Sequence, residues 1–150
     1  MPIIKEMKFK INSVIENLSD AGLPDGEPEI SESVCDGFFK ISEDSYLITY
    51  SENTEGGRVI SDIEIEGEKI RVKRVGGVCS DIVFSEGYTH KSEYEVPPYR
   101  FDMSVFTRKI RKNLTKDGGR VDIFYNMNIG GADKTVRMRI EVHPLGDKLT

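Results

Sequence analysis

The stretch Val121-Asp122-Ile123-Phe124-Tyr125-Asn126-Met127-Asn128-Ile129, closed by Gly130-Gly131, decides the fold. On an extended chain Val121, Ile123, Tyr125, Met127 and Ile129 share one side, and Asp122, Asn126 and Asn128 share the other. A period of two is what a strand with one buried face requires; a helix of the same residues would scatter the apolar ones around its axis. The double glycine then supplies the positive φ of a tight primed turn. Beyond it the pattern restarts, with Val136, Met138, Ile140 and Val142 alternating with Thr135, Arg137, Arg139 and Glu141. Two such runs joined by Gly-Gly read as a β-hairpin.

The same rule extends outward. Ile63 and Ile65 alternate with Asp62, Glu64 and Glu66; Ile70 and Val72 with Arg71 and Lys73; Met7, Phe9 and Ile11 with Lys8, Lys10 and Asn12. Cys35 to Ile41 is strand-like with its phase left open. Turn-formers recur from residue 50 onward as Gly56-Gly57, Gly67, Gly76-Gly77, Glu86-Gly87, Pro97-Pro98 and Asp117-Gly118-Gly119, the rhythm of short strands joined by hairpins. About ten strands result, the first two joined by a polar loop around Pro24, Asp25, Gly26 and Pro28. In Phe101 to Leu114, Phe106, Ile110 and Leu114 recur at helical spacing, while Phe101, Met103 and Val105 alternate. A long strand with a β-bulge near Val105-Phe106 accounts for both, since the extra residue shifts the phase; a short helix over 104–114 is the alternative.

The chain has 150 residues, 37% hydrophobic and 31% charged, the balance of one globular domain spanning 1–150. An antiparallel sheet of this size, with one apolar face and no helix to cover it, must curl onto itself. Tight sequential hairpins favour a single up-and-down barrel of about eight to ten strands over a Greek-key sandwich, which needs longer crossing connections. No apolar run approaches the ~18 residues of a membrane-spanning helix. The charged start Met1-Pro2-Ile3-Ile4-Lys5-Glu6 predicts no secretory signal. Cys35 and Cys79, far apart and without CxxC spacing, exclude a disulfide scaffold or zinc site and point to a reducing, cytoplasmic setting.

Chemistry is sparse. No glycine stretch matches GxxxxGK[ST] or GxGxxG, so no nucleotide cofactor is expected. The two histidines, His90 and His143, have no metal-ligand spacing. A Cys79–His90 nucleophile pair lacks any marked orienting carboxylate. With no catalytic constellation to read, an enzyme is the third of three readings. The basic run Arg108-Lys109-Ile110-Arg111-Lys112, with Lys116 and Arg120, belongs to a charge asymmetry. Residues 1–66 carry 5 basic and 15 acidic side chains, a balance of −10, and residues 67–150 carry 16 and 11, a balance of +5. In a closed barrel the first and last strands are neighbours, which lets the two halves neutralise each other. Nucleic acid is therefore not an expected partner, and neither is a membrane.

The informative residues are charges in phase with the apolar face. Glu52 follows Tyr46, Ile48 and Tyr50 at steps of two; Arg74 follows Ile70 and Val72; Glu86 follows Ile82 and Phe84. With strands running alternately up and down, Glu52, Arg74, Tyr94 and Tyr99 reach one rim and Glu86 the other. Two readings follow. Glu52 and Arg74 form an internal ion pair that plugs the mouth. Or Arg74 takes a ligand carboxylate or phosphate, in a site formed by Arg74, Glu52, Tyr50, Tyr94, Tyr99 and Tyr125.

Tyr46-Leu47-Ile48-Thr49-Tyr50-Ser51-Glu52, Arg74 with Gly76, Phe84 with Gly87, Tyr94 with Pro98-Tyr99, and Gly119-Arg120-Val121-Asp122-Ile123-Phe124-Tyr125-Asn126-Met127 together give the chain a further identity. It resembles the YwiB-like family of bacterial calycin-type β-barrels, whose members carry the label of unknown function. The resemblance runs from about Met7 to Val142 and departs from the family pattern at Val96-Pro97-Pro98-Tyr99-Arg100. It implies a calycin (lipocalin-like) barrel and supplies no activity. The first functional expectation is a cytoplasmic protein that binds a small, partly apolar, anionic ligand at one barrel mouth. The second is a structural or interaction module with a self-filled barrel, acting through its surface as a homodimer.

Overall fold

Each alternating run becomes a strand in the computed structural model, which describes residues 2–146. In chain order the strands are β1 (Ile3–Asn17), β2 (Glu29–Ile41), β3 (Ser45–Thr54), β4 (Gly57–Glu66), β5 (Lys69–Gly76), β6 (Ser80–Phe84), β7 (Thr89–Val96), β8 (Tyr99–Thr115), β9 (Gly118–Ile129) and β10 (Ala132–Pro144). All are antiparallel, in one sheet of order β6-β5-β4-β3-β2-β1-β10-β9-β8-β7. β1 pairs with β10 from Met7↔Pro144 to Asn17↔Lys134, so the ends of the meander meet in the middle of the sheet. The edge strands β6 and β7 are consecutive in the chain and come round to face each other, giving a nearly closed up-and-down barrel.

The β6–β7 seam is not a full ladder. Cys79 and Glu95 exchange two backbone hydrogen bonds, at 2.8 and 2.9 Å. Further along, side chains stand in for carbonyls: the Val83 N–H donates to His90 Nδ1 and the Ser85 N–H to Thr107 Oγ1, both at 3.2 Å. A second thin place lies between β2 and β3, which pair only over Gly37–Ile41 and Tyr46–Tyr50. Gly37 sits at the fork. A Cβ there would lie 2.2 Å from the Thr49 carbonyl oxygen, so the strands approach only where no side chain stands.

The stretch with two periodicities is a bulged strand. Met103, Val105 and Thr107 are buried; the register then shifts between Thr107 and Lys109, and Ile110 and Leu114 turn inward on the new phase. The extra residue is Arg108, two positions past the expected Val105-Phe106. Thr107 and Ile110 both face inward, so Arg108 and Lys109 must both face out, as a bulge allows. Glu86, at the far rim as its phase requires, accepts the Ile110 N–H on Oε1 at 2.8 Å.

Inside, the two halves of the barrel differ. Around the ends where β2 and β10 finish, Phe9, Phe39, Ile48, Ile65, Val121 and Ile140 are fully buried. Phe39 stacks on Tyr46 at 5.4 Å between ring centroids. Each such side chain removed from water contributes about 1.5–3 kcal/mol. The phase left open in β2 resolves here: Phe39 points in and Phe38 is exposed.

Candidate functional site

In the other half, where β5, β7 and β9 end, the side chains leave a cavity of about 290 Å³. Its wall is aliphatic and aromatic through Val72, Ile82, Phe84 and Val136, and includes three methionines, Met103, Met127 and Met138. Methionine is the apolar side chain best able to reshape around a guest. The polar groups are two cations, Arg74 and Lys134, with the hydroxyls of Tyr94, Tyr125, Ser13, Ser31 and Ser80. No carboxylate is among the lining residues. An apolar chamber with a few polar groups of one charge sign is the composition of a small-ligand pocket.

The ladder places Arg74 in the row Tyr50–Ser61–Arg74–Ser80, across β3 to β6. Ser61 is fully buried and small, and leaves room beside it. Arg74 Nε is buried without a hydrogen-bond partner, and no carboxylate lies within ion-pairing distance among the described residues. Its electrostatic neighbours are two phenols. Burial pushes Tyr125 up to about 12, with the Arg74 charge pulling the other way. Tyr50 is raised by burial and likewise opposed by Arg74. The Tyr125 ring leans on Phe84 at 4.8 Å, which fixes the phenol against the cavity wall.

The expected Glu52–Arg74 ion pair does not form. Glu52 belongs to the row Glu52–Val59–Gly76, one step nearer the mouth, with buried Val59 between it and β5. Its Oε2 instead accepts a hydrogen bond from Ser33 Oγ at 2.6 Å, across the fork between β2 and β3. Tyr99 also stays away from the cavity, 66% exposed. The β8–β9 ladder begins at Met103↔Ile129, with one further bond from the Gly130 N–H to the Asp102 carbonyl at 3.0 Å. Tyr99–Phe101 therefore pair with β7 alone and extend past the end of β9 as a flap, tied to Cys79 through Glu95. Of the expected set, the cavity gathers Arg74, Tyr94 and Tyr125; Tyr50 lies beside Arg74; Glu52 and Tyr99 stand apart.

Lys134 was not among the expected residues. It is in phase with Val136 and Met138, so the alternation that revealed Arg74 carried the signal; its Nζ donates to Asn17 Oδ1 at the rim. Elsewhere the chemistry is quiet. The Cys79 thiol donates to the Gly76 carbonyl at 3.5 Å, while His90 is occupied by Val83, so the two do not pair. Both cysteines are free, and burial, reinforced by the Glu52 and Asp36 charges, pushes the Cys35 thiol up, away from thiolate chemistry. Among the described residues no group of three or more His, Cys, Asp or Glu could hold a metal ion.

A family model described as "Domain of unknown function (DUF1934)" matches residues 18–141. The chain is 25% identical over 120 residues to the "Uncharacterized beta-barrel protein YwiB" of Bacillus subtilis (strain 168), with 80% of each chain covered. The crystal structure of the YwiB protein from Bacillus subtilis aligns with a TM-score of 0.77 at 22% identity over 92% of both chains, a likeness of fold.

Proposed function

The chain belongs to the family described as Domain of unknown function (DUF1934), and from that premise we propose that this β-barrel protein binds a small, partly apolar anion in its cavity. The family supplies a barrel and no activity, so the reading rests on the cavity alone. One observation carries it: among the described residues, Arg74 presents a guanidinium to an apolar chamber with neither an ion-pair partner nor a hydrogen bond for Nε. Holding a cation in such a place costs free energy until an anion arrives. A ligand carboxylate or phosphate on Arg74 recovers that cost, and the Tyr94 and Tyr125 hydroxyls supply further hydrogen bonds. The apolar remainder of the ligand lies against the methionines. At about 290 Å³ the cavity matches the lower end of the range for small-ligand sites, which points to a small guest. The two free thiols fit a reducing compartment, and the proposal places the protein in the cytoplasm.

Thermal denaturation with octanoate tests this, with octanol as the uncharged control. Octanoate should raise the melting temperature and octanol should not. Arg74→Met should leave the unliganded protein as stable as before, or more so, and abolish the octanoate shift. Melting unmoved by octanoate and by an alkyl phosphate of similar length, together with a marked loss of unliganded stability in Arg74→Met, would overturn the reading in favour of a barrel in which Arg74 is purely structural.

A further inference from the structure

Opposite charges on neighbouring strands neutralise one wall of the barrel. Along β4 and β5, Asp62 faces Lys73, Glu64 faces Arg71 and Glu66 faces Lys69, as an ordinary solvated sheet surface requires. The outer wall of β8, β9 and β10 is built differently. It carries Arg108, Lys109, Arg111, Arg120, Arg137 and Arg139, against the carboxylates Asp122 and Glu141 in its middle and Asp102 and Asp133 toward the rim. Asp122 is taken by Arg139 at 2.7 Å and Arg120 at 3.9 Å, and Glu141 faces Arg120 on the ladder and is hydrogen-bonded to His143 at 2.9 Å. That leaves Arg108, Lys109 and Arg137 with neither a carboxylate opposite on the ladder nor one in ion-pairing range among the described residues, while Arg111 faces Asp122, which is already held by Arg139. Ring closure brings one carboxylate to this wall, Glu16 of β1, which lines the groove with Arg108 and Arg137 and forms no ion pair with either. On β1, the residues facing Arg137 and Arg139 are Val14 and Asn12.

The bulge sharpens the feature, because it turns two consecutive cations, Arg108 and Lys109, onto the same face. Between Arg108 and Arg137 lies a shallow groove floored by Phe124, with the Arg111 guanidinium over that ring at 6.0 Å. Phe106, one row along the same face, is 40% exposed. Guanidinium groups, which grip phosphate oxygens two at a time, thus alternate with aromatic faces on which bases can stack. A duplex hides its base faces; only a single strand can use both elements. We propose that the outer wall of β8–β10 is a docking surface for single-stranded nucleic acid, independent of the barrel cavity.

Fluorescence anisotropy with a fluorescein-labelled oligothymidylate tests this on the full chain. Binding should appear at low ionic strength, and its affinity should fall linearly on a double-logarithmic salt plot, with a slope of about −0.7 per phosphate engaged. Lys109→Glu with Arg137→Glu should weaken binding at least about tenfold. Lys69→Glu, an equal change of sign per residue on the neutralised wall, should leave it within about twofold. Phe106→Ala should weaken it while keeping the circular dichroism spectrum and melting temperature, and Phe124→Ala should repeat the effect. No anisotropy change at low salt would overturn the proposal. So would a loss in Lys69→Glu as large as in the paired variant, or binding to duplex DNA or anionic phospholipid vesicles as tight as to the single strand.

Discussion

At the level of single residues, burial and the neighbouring Arg74 charge pull the Tyr125 phenol in opposite directions, and burial wins. The Tyr125 hydroxyl is pushed up to about 12 by burial, from near 10 in an unfolded chain. Between those values the folded protein holds a proton that the unfolded chain has released. Stability is therefore intact below pH 10 and falls as pH rises toward 12, by about 2–3 kcal/mol. Denaturant midpoints measured across that range, with tyrosinate absorbance followed alongside, should show the loss, and Tyr125→Phe should flatten it. In Arg74→Met, Tyr125 should titrate higher still, since the charge that lowers it is gone. Gly37 offers a separate check. Its backbone is not in the left-handed region, so the strain of Gly37→Ala comes from crowding, with the Thr49 carbonyl oxygen at 2.2 Å, Tyr50 Cβ at 3.0 Å and Phe9 Cε2 at 3.1 Å. It should cost at least about 1–3 kcal/mol in chemical denaturation. Arg74 was legible in the sequence because phase alone marks a cation on an apolar face. Its relation to Glu52 was not: which row each occupies depends on hairpin register, and a shift of two residues preserves every side-chain direction while changing every neighbour.

Among the elements, β8 shows how a mixed pattern resolves. Two periodicities in one segment are a phase shift when the strands on either side are fixed, and the ladder to β9 puts that shift at Arg108. The sequence placed it two residues early, because Val105 and Phe106 are both apolar and look like the break, whereas the actual break falls between two cations that are equally at ease in solvent. Deleting Arg108 leaves Thr107 inward, Lys109 outward and Ile110 inward, so the barrel should still fold, with a modest drop in melting temperature from losing the Glu86 bond to Ile110. A single alanine inserted between Ile123 and Phe124 has no such escape. β9 is buried on its inner face and paired on both sides, so the insertion exposes one flanking run of core residues, and circular dichroism should report an unfolded chain. The Tyr99 flap was beyond reach of the sequence for a related reason: alternation gives a strand's faces and not the point at which its second neighbour ends.

For the molecule as a whole, strand rhythm and turn spacing make the up-and-down barrel readable in the sequence, while the cavity is not. Whether ten strands close on a filled or a hollow interior depends on how residues from six or more strands meet, and no local pattern encodes that sum. The unequal closure of the ring has a dynamic signature. β6 is the shortest strand, held by backbone pairing to β5 on one side and by a bridge and side-chain acceptors on the other. Its amides at Asp81 and Val83 should exchange with deuterium faster than those of β1, β9 and β10, which are laddered on both sides; equal protection would show that the seam is as firm as the rest.

The circular order of the strands also sets apart where the chain is continuous from where the sheet is continuous. β1 and β10 are firmly paired although they lie at opposite ends of the described chain, whereas β6 and β7 are joined by a short turn although they scarcely pair. A gene rearranged so that a flexible linker joins the end of β10 to the start of β1, with new termini opened in the turn at Glu86-Gly87, would encode one unbroken run of ladders from first strand to last. In that circular permutant the native seam becomes the place where two free ends meet. The barrel could then be unzipped from a defined point, with the walls of β5 and β8 left in register behind it.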